Sequence, residues 1–220
     1  IGHINDPGTD IMSIVKAYDL PVEFSEKIMH QVENVSNEVS TADMAGRMDF
    51  RDWQTVTIDG EDAKDLDDAI TLTKEGDNYK LGVHIADVSN YVKPGSELDN
   101  EAFNRATSVY YADQVVPMLP KQLSNGICSL NENELRLAFS CLMRLDKDGN
   151  LTDYRFVKSV IRSRVKGVYS EINALLAGST DDELTGKYHE VLAQLPAMKE
   201  LYGHRARPVS YTHLRAHETG

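Results

Sequence analysis

The chain has 220 residues, 41% of them hydrophobic, which allows one full core and part of a second but not two complete domains. Its mean hydropathy is −0.41, and no apolar run approaches the roughly 18 residues of a membrane span, so a soluble globular chain is expected. Thirty-five acids against 23 bases leave a net charge of −12, which on its own opposes a nucleic-acid partner.

Ile1 to Asp6 lack an initiator Met, a basic stretch and an apolar stretch, so the sequence predicts no signal peptide and a chain that starts inside a longer protein. Residues 1–50 read as a helical connector. Ile11, Ile14, Val15 and Tyr18 fall at helical spacing before Pro21, and a second helix begins at Ser25 with Ile28, Met29, Val32 and Val35 on one stripe. Nine acids face only Lys16, Lys27 and Arg47 in this segment, which carries no candidate site.

From Thr55 the period changes. Thr55–Ile58, Ala69–Thr73 and Lys80–Asp87 are β-prone runs. Ser96 with Asp99 three residues later forms a capping box that opens a helix to about Thr107, and Pro117 and Pro120 then break regular structure. Leu135–Leu145 and Leu151–Val165 are strand-like and flank a hairpin turn at 146–150. The Asp-x-Asp-Gly-Asn string in that turn is no EF-hand, because its Gly comes fourth rather than sixth. Tyr169–Ala177 and Glu183–Tyr202 read as helices. The fold class is therefore α+β, a sheet with surrounding helices. Cys128 and Cys141, with no C-x-x-C and no paired His, read as reduced buried thiols in a cytoplasmic protein rather than zinc ligands.

The last thirteen residues, 208–220, have no helical or strand period. They resemble the translation of a sequencing-library adapter, so the natural sequence is expected to diverge after about Arg207.

Six of the ten residues from Asp59 to Asp68 are acids, opposed only by Lys64. Charge alone fits a solvated face. Placement between two β-prone runs holds the carboxylates together, and two of them about 4 Å apart at an effective dielectric near 20 repel by roughly 4 kcal/mol. Hard divalent cations relieve such repulsion, and Mg²⁺ shares its shell among carboxylates, waters and phosphate oxygens.

At these residues the sequence resembles the ribonuclease II and R (RNB) family of exoribonucleases. The resemblance rests on T-I-D-G-E-D-A-K-D-L-D-D-A at 57–69, V-H-I-A-D-V-S at 83–89, T-S-V-Y at 107–110, V-P-M-L-P at 116–120, L-S-N-G at 123–126 and C-S-L at 128–130, and covers about residues 3–205. It implies that residues 51–207 are the first half of an RNB-type catalytic domain, preceded in the intact protein by an RNA-binding module. It further implies processive hydrolysis of single-stranded RNA from the 3′ end to nucleoside 5′-monophosphates with Mg²⁺. Asp59, Asp65, Asp67 and Asp68 would be the catalytic and metal-site carboxylates, with Asp59 and Asp68 as direct ligands and Asp67 in the chemistry. Tyr110 would stack near the 3′-terminal nucleotides, and Tyr169 would lie near the terminal ribose, whose 2′-OH distinguishes RNA. Asp87 and His84 lie in a matching motif but read as a strand-end acid and a packed ring.

Between Tyr154 and Ser170 stand five bases and no acid. In an extended strand Arg162, Arg164 and Lys166 share one face, either a solvated face or a stripe that follows a phosphate backbone. The family's later arginine-rich motif has no counterpart here, so the 220-residue chain is expected to be inactive although the intact protein is an enzyme. Two other readings are a non-catalytic RNA-binding relative, opposed by the four aspartates, and an acidic structural cation-binding domain, opposed by the basic stripe and Tyr110.

Overall fold

In the computed structural model, the described residues are 13, 15–111 and 114–205. Ile11, Ile14 and the 208–220 tail lie outside them. The fold is mixed α and β, as the sequence predicts, and is built on a closed barrel of five strands.

The strands are β1 (Met48–Asp59), β2 (Asp68–Glu75), β3 (Asn78–Ala86), β6 (Leu135–Leu145) and β7 (Leu151–Val168), in that order round the barrel. Neighbours pair antiparallel except for β7 against β1, a parallel ladder running from Met48↔Ser159 to Asp59↔Val168. A short hairpin of β4 (Val109–Tyr111) and β5 (Gln114–Val116) stands apart from the barrel. β1 begins seven residues before the β-prone run at Thr55. Its first half, M-D-F-R-D-W-Q, is too polar to announce a strand, and tertiary pairing with β7 recruits it.

Inside the barrel an apolar layer of Phe50, Leu66, Ala69, Ala86, Leu130, Ala138 and Ile161 is packed, with Trp53 stacked on Phe50 at 3.9 Å between centroids. Beside it runs a polar layer with one residue from each strand. Thr55 contacts Thr71 (3.0 Å), Thr71 contacts His84 Nε2 (3.2 Å), His84 Nδ1 contacts Ser140 (2.7 Å) and Ser140 contacts Ser159 (2.6 Å). All five are buried, and the chain satisfies hydroxyls that would otherwise destabilise the interior. His84 is the packed ring expected from the sequence.

The outer face of β1 and the adjoining part of β7 is covered by α4 (Tyr169–Leu176), α5 (Asp182–Lys187) and α6 (Leu195–Arg205), through Val56, Val165, Ile172, Tyr188, Val191 and Leu195. The single helix expected over Glu183–Tyr202 is thus two helices with a 3₁₀ turn at Leu192–Gln194 between them. Pro196, which lacks an N–H, suits the start of α6 rather than a helix interior.

On the N-terminal side Ser25 caps α1 (Glu26–Glu33), and Ile28 and Val32 bury against Leu98 of α3 (Glu97–Arg105), Leu123 and Ile127. The buried Arg105 guanidinium ties this segment down, donating to the carbonyls of Pro21 (2.6 Å), Glu23 (2.6 Å) and Pro117 (3.1 Å). A short helix α2 (Thr41–Met44) follows, capped by Ser40 and Asp43 in a reciprocal box. At Ser96 only half of the expected box forms: Ser96 accepts from the Asp99 amide, whereas the Asp99 carboxylate takes the Gly95 amide. Cys128 is buried and Cys141 only half-buried, and both are free. Among the described residues no helix is long and apolar enough to cross a membrane.

Candidate active site

Asp59 is the last residue of β1 and Asp68 the first of β2, so both ends of the acidic loop are fixed to the barrel, Asp59 opposite Val168 and Asp68 opposite Ile85. The loop between them is held along its length. Its Leu66 is buried in the apolar layer, and the Leu66 amide donates to Ser129 Oγ (3.0 Å) while the Leu66 carbonyl accepts from the Leu130 amide (2.8 Å). The Asp67 carbonyl accepts from Ala86 (2.9 Å), and Lys166 Nζ donates to the carbonyls of Glu61 (2.8 Å) and Ala63 (2.7 Å).

The four sequence-predicted aspartates share one end of the barrel. Asp59 and Asp65 are half-buried, and Asp67 and Asp68 are exposed. Burial, then the charges of Asp68 and Asp65, raise the Asp59 carboxyl above its ordinary value, with Lys166 opposing them. Asp67 keeps much of its surface open, yet protein crowded round its carboxyl, with the charges of Asp65, Asp68 and Asp59, raises its pKa as well. These groups stand within electrostatic reach of one another, and the nearby ammonium offsets only part of their repulsion.

Tyr110, on β4, is 62% exposed and its hydroxyl donates to Asp65. That bond, followed by burial and the Asp65 charge, raises the phenol pKa. Tyr169 is also exposed and opens α4 immediately after Val168, the ladder partner of Asp59. Both predicted tyrosines therefore lie at the aspartate end. Glu61 and Asp62 are exposed.

The three predicted cations of β7 do not form one open stripe. The ladder skips from Thr55↔Ser163 to Val56↔Val165, leaving Arg164 as a bulged residue. All three side chains are half-buried. Arg162 Nε is enclosed without a partner, Arg164 donates to the carbonyls of Trp53 (3.2 Å) and Arg51 (2.9 Å), and Lys166 holds the acidic loop. Burial still alternates from Ile161 to Gly167, with the three cations at the less buried positions as expected, but their side chains are enclosed by or bonded to protein groups instead of lying open.

Sequence reasoning missed Ser129, whose contacts to the acidic loop span more than sixty residues, and Arg47, which pairs with the buried Asp87 at 2.7 Å. The only signal for Ser129 was its place in the C-S-L motif.

Every donor in the cluster is a carboxylate oxygen, with no thiolate or imidazole, and such a set suits a hard divalent ion such as Mg²⁺. Among the described residues no three His, Cys, Asp or Glu side chains are grouped closely enough to enclose a metal by themselves. The arrangement fits an open site in which few protein ligands are supplemented by water or phosphate, not a closed cage.

Residues 47–209 match the RNB domain. The chain is 43% identical over 203 residues to ribonuclease R 1 of Lactococcus lactis, covering 92% of this chain and 25% of that protein. It is 50% identical over 179 residues to ribonuclease R of Thermotoga maritima, covering 80% of this chain and again 25% of the relative. Mycoplasma genitalium RNase R in complex with double-stranded RNA superposes with a TM-score of 0.77 at 30% identity, over 90% of this chain and 36% of that one. The yeast pseudonuclease Ssd1 superposes at 0.64 with 20% identity, over 84% and 24% of the two chains, which shows a shared fold alone. The chain thus spans about a quarter of the length of the L. lactis and T. maritima relatives. With the RNB match extending from the start of β1 past the end of α6, the chain belongs to the RNB family of exoribonucleases.

Proposed function

We propose that the intact protein is a processive exoribonuclease that hydrolyses single-stranded RNA from its 3′ end to nucleoside 5′-monophosphates in the cytoplasm. The observation that carries this reading is the crowding of Asp59, Asp65, Asp67 and Asp68 at one barrel end, where burial and then the charges of Asp65 and Asp68 raise the carboxyls of both Asp59 and Asp67. Similarity to ribonuclease R proteins supports it, as does the RNA held by M. genitalium RNase R.

In this reading Asp59 and Asp68 offer oxygen ligands to Mg²⁺, Asp67 serves the chemistry, and Asp65 is oriented by the Tyr110 hydroxyl. Bound Mg²⁺ would supply an activated water and neutralise charge on the scissile phosphate. Tyr110 offers an exposed ring to a terminal base, and Tyr169, exposed and next in the chain to the ladder partner of Asp59, would be available to a terminal ribose.

A second reading, a non-catalytic RNA-binding relative, draws on the lack of a preformed three-acid metal group among the described residues. Asp67→Asn in the full-length protein separates the two. Turnover of single-stranded RNA should vanish while RNA affinity stays within about threefold, since no phosphate contact is removed. Surviving turnover would end the metal-site assignment.

A further inference from the structure

The eight residues between Asp59 and Asp68 carry four further carboxylates, so their own repulsion favours an expanded loop. Opposing this, two side chains from distant segments grip its backbone. Lys166 spends two of its three ammonium protons on the carbonyls of Glu61 and Ala63, 2.8 and 2.7 Å away. Ser129, fully buried, accepts from the Leu66 amide, and its one hydroxyl proton is shared between the Lys64 carbonyl and Asn131 Oδ1, each 3.0 Å away. The backbone of Ser129 is held in turn by Arg136, whose Nε donates to the Ser129 carbonyl at 2.7 Å.

We infer that Lys166 and Ser129 are positioning residues that fix the acidic loop from two sides, and that Lys166 serves this loop instead of an RNA phosphate. The inference rests on the proposed metal role of the aspartates for its consequence, but not for its geometry. The clamp sits between the outer aspartates: Lys166 holds the carbonyls of Glu61 and Ala63 on the Asp59 side, and Ser129 contacts the two residues that bracket Asp65. A loop released at these points would spread its carboxylates, and an open site depends on their spacing more than a closed cage does.

The test uses the full-length protein and three readouts: amide exchange at residues 60–67, direct Mn²⁺ binding, and RNA affinity without divalent metal as a function of salt. Ser129→Ala changes no charge, so any change in Mn²⁺ affinity reports geometry. Exchange at the Leu66 amide should rise, and Mn²⁺ affinity fall, by roughly tenfold, the scale of one lost buried hydrogen bond, with RNA affinity unchanged. Lys166→Met should accelerate exchange over residues 60–65 and leave the salt dependence of RNA binding as it is. A phosphate contact would instead reduce that salt slope by about one, and such a loss with unchanged loop exchange overturns the inference. Unchanged exchange in both variants also overturns it. Should Ser129→Ala fail to fold, Lys166→Met, at a half-buried side chain, carries the test alone. Asp67→Asn run in parallel keeps the two readings apart: turnover surviving there defeats the metal assignment whatever the loop does.

Discussion

The Tyr110 hydroxyl donates to the carboxylate of Asp65, joining the free-standing β4–β5 hairpin to the acidic loop. One side chain thus offers a ring for stacking and a donor for a carboxylate, and the two roles separate by substitution. Tyr110→Phe keeps the ring and removes only a partly solvated hydrogen bond, so turnover should fall a few fold with the end-product length unaltered. Tyr110→Ala removes the stacking surface as well, and a base on an aromatic face contributes about 1–3 kcal/mol. If the proposed activity holds, the final products of the full-length variant should be longer than those of the unsubstituted protein, as resolved on a denaturing gel.

The buried His84 holds the polar layer together, and desolvation lowers its pKa to about 4. In the unfolded chain the ring titrates near 6.5, so between these values the unfolded state binds the proton and the folded state does not. Stability should therefore fall as pH drops from about 6.5 to about 4, by up to about 3 kcal/mol from this ring. Urea melts across that window would show the slope, and His84→Gln should flatten it. A methyl at Gly82 would lie 2.9 Å from His84 Nε2, so Gly82→Ala should disturb the same layer.

Gly167 pairs with Ile58, one residue before Asp59. A Cβ there would meet the Thr57 carbonyl oxygen at 2.4 Å, a backbone atom that has no rotamer to yield. Gly167→Ala should cost about 1–3 kcal/mol, read as a lower Tm. It should also weaken metal binding by displacing the Asp59 end of β1, measurable by titration with Mn²⁺.

The two thiols should differ in reactivity. Cys128 is buried with its pKa pushed up to about 12 by desolvation, so its thiolate is scarce at neutral pH. Cys141 is half-buried on β6, opposite Phe156. A maleimide reagent on the native chain should label Cys141 and spare Cys128, with the site read by peptide mass spectrometry; equal labelling would contradict the burial described.

Local chemistry was legible in the sequence. The turn at 146–150 forms as read because Asp146 Oδ1 accepts from the amides of Asp148 and Asn150, contacts contained within five residues. Ser25 and Ser96 cap the helices they were expected to open. The acidic loop was legible because its charge density has no local explanation. What stayed hidden depends on distant partners. The first half of β1 is a strand only because β7 lies beside it, and the carbonyls of Arg51 and Trp53 that engage Arg164 are 113 and 111 residues away in the chain. Ser129 could not be connected to Leu66 by any spacing rule.

The parallel ladder between β1 and β7 brings Asp59 against Val168, 109 residues later in the chain. Hairpins such as β2–β3 form from neighbours in sequence, but this last seam must wait for a long stretch of polypeptide to find its end. Until that seam closes, Asp59 lacks the ladder partner that fixes its end of the acidic loop. A chain cut before residue 168 would carry every aspartate of the cluster yet lack the neighbour of Asp59, so ring closure completes the rim on which the carboxylates stand.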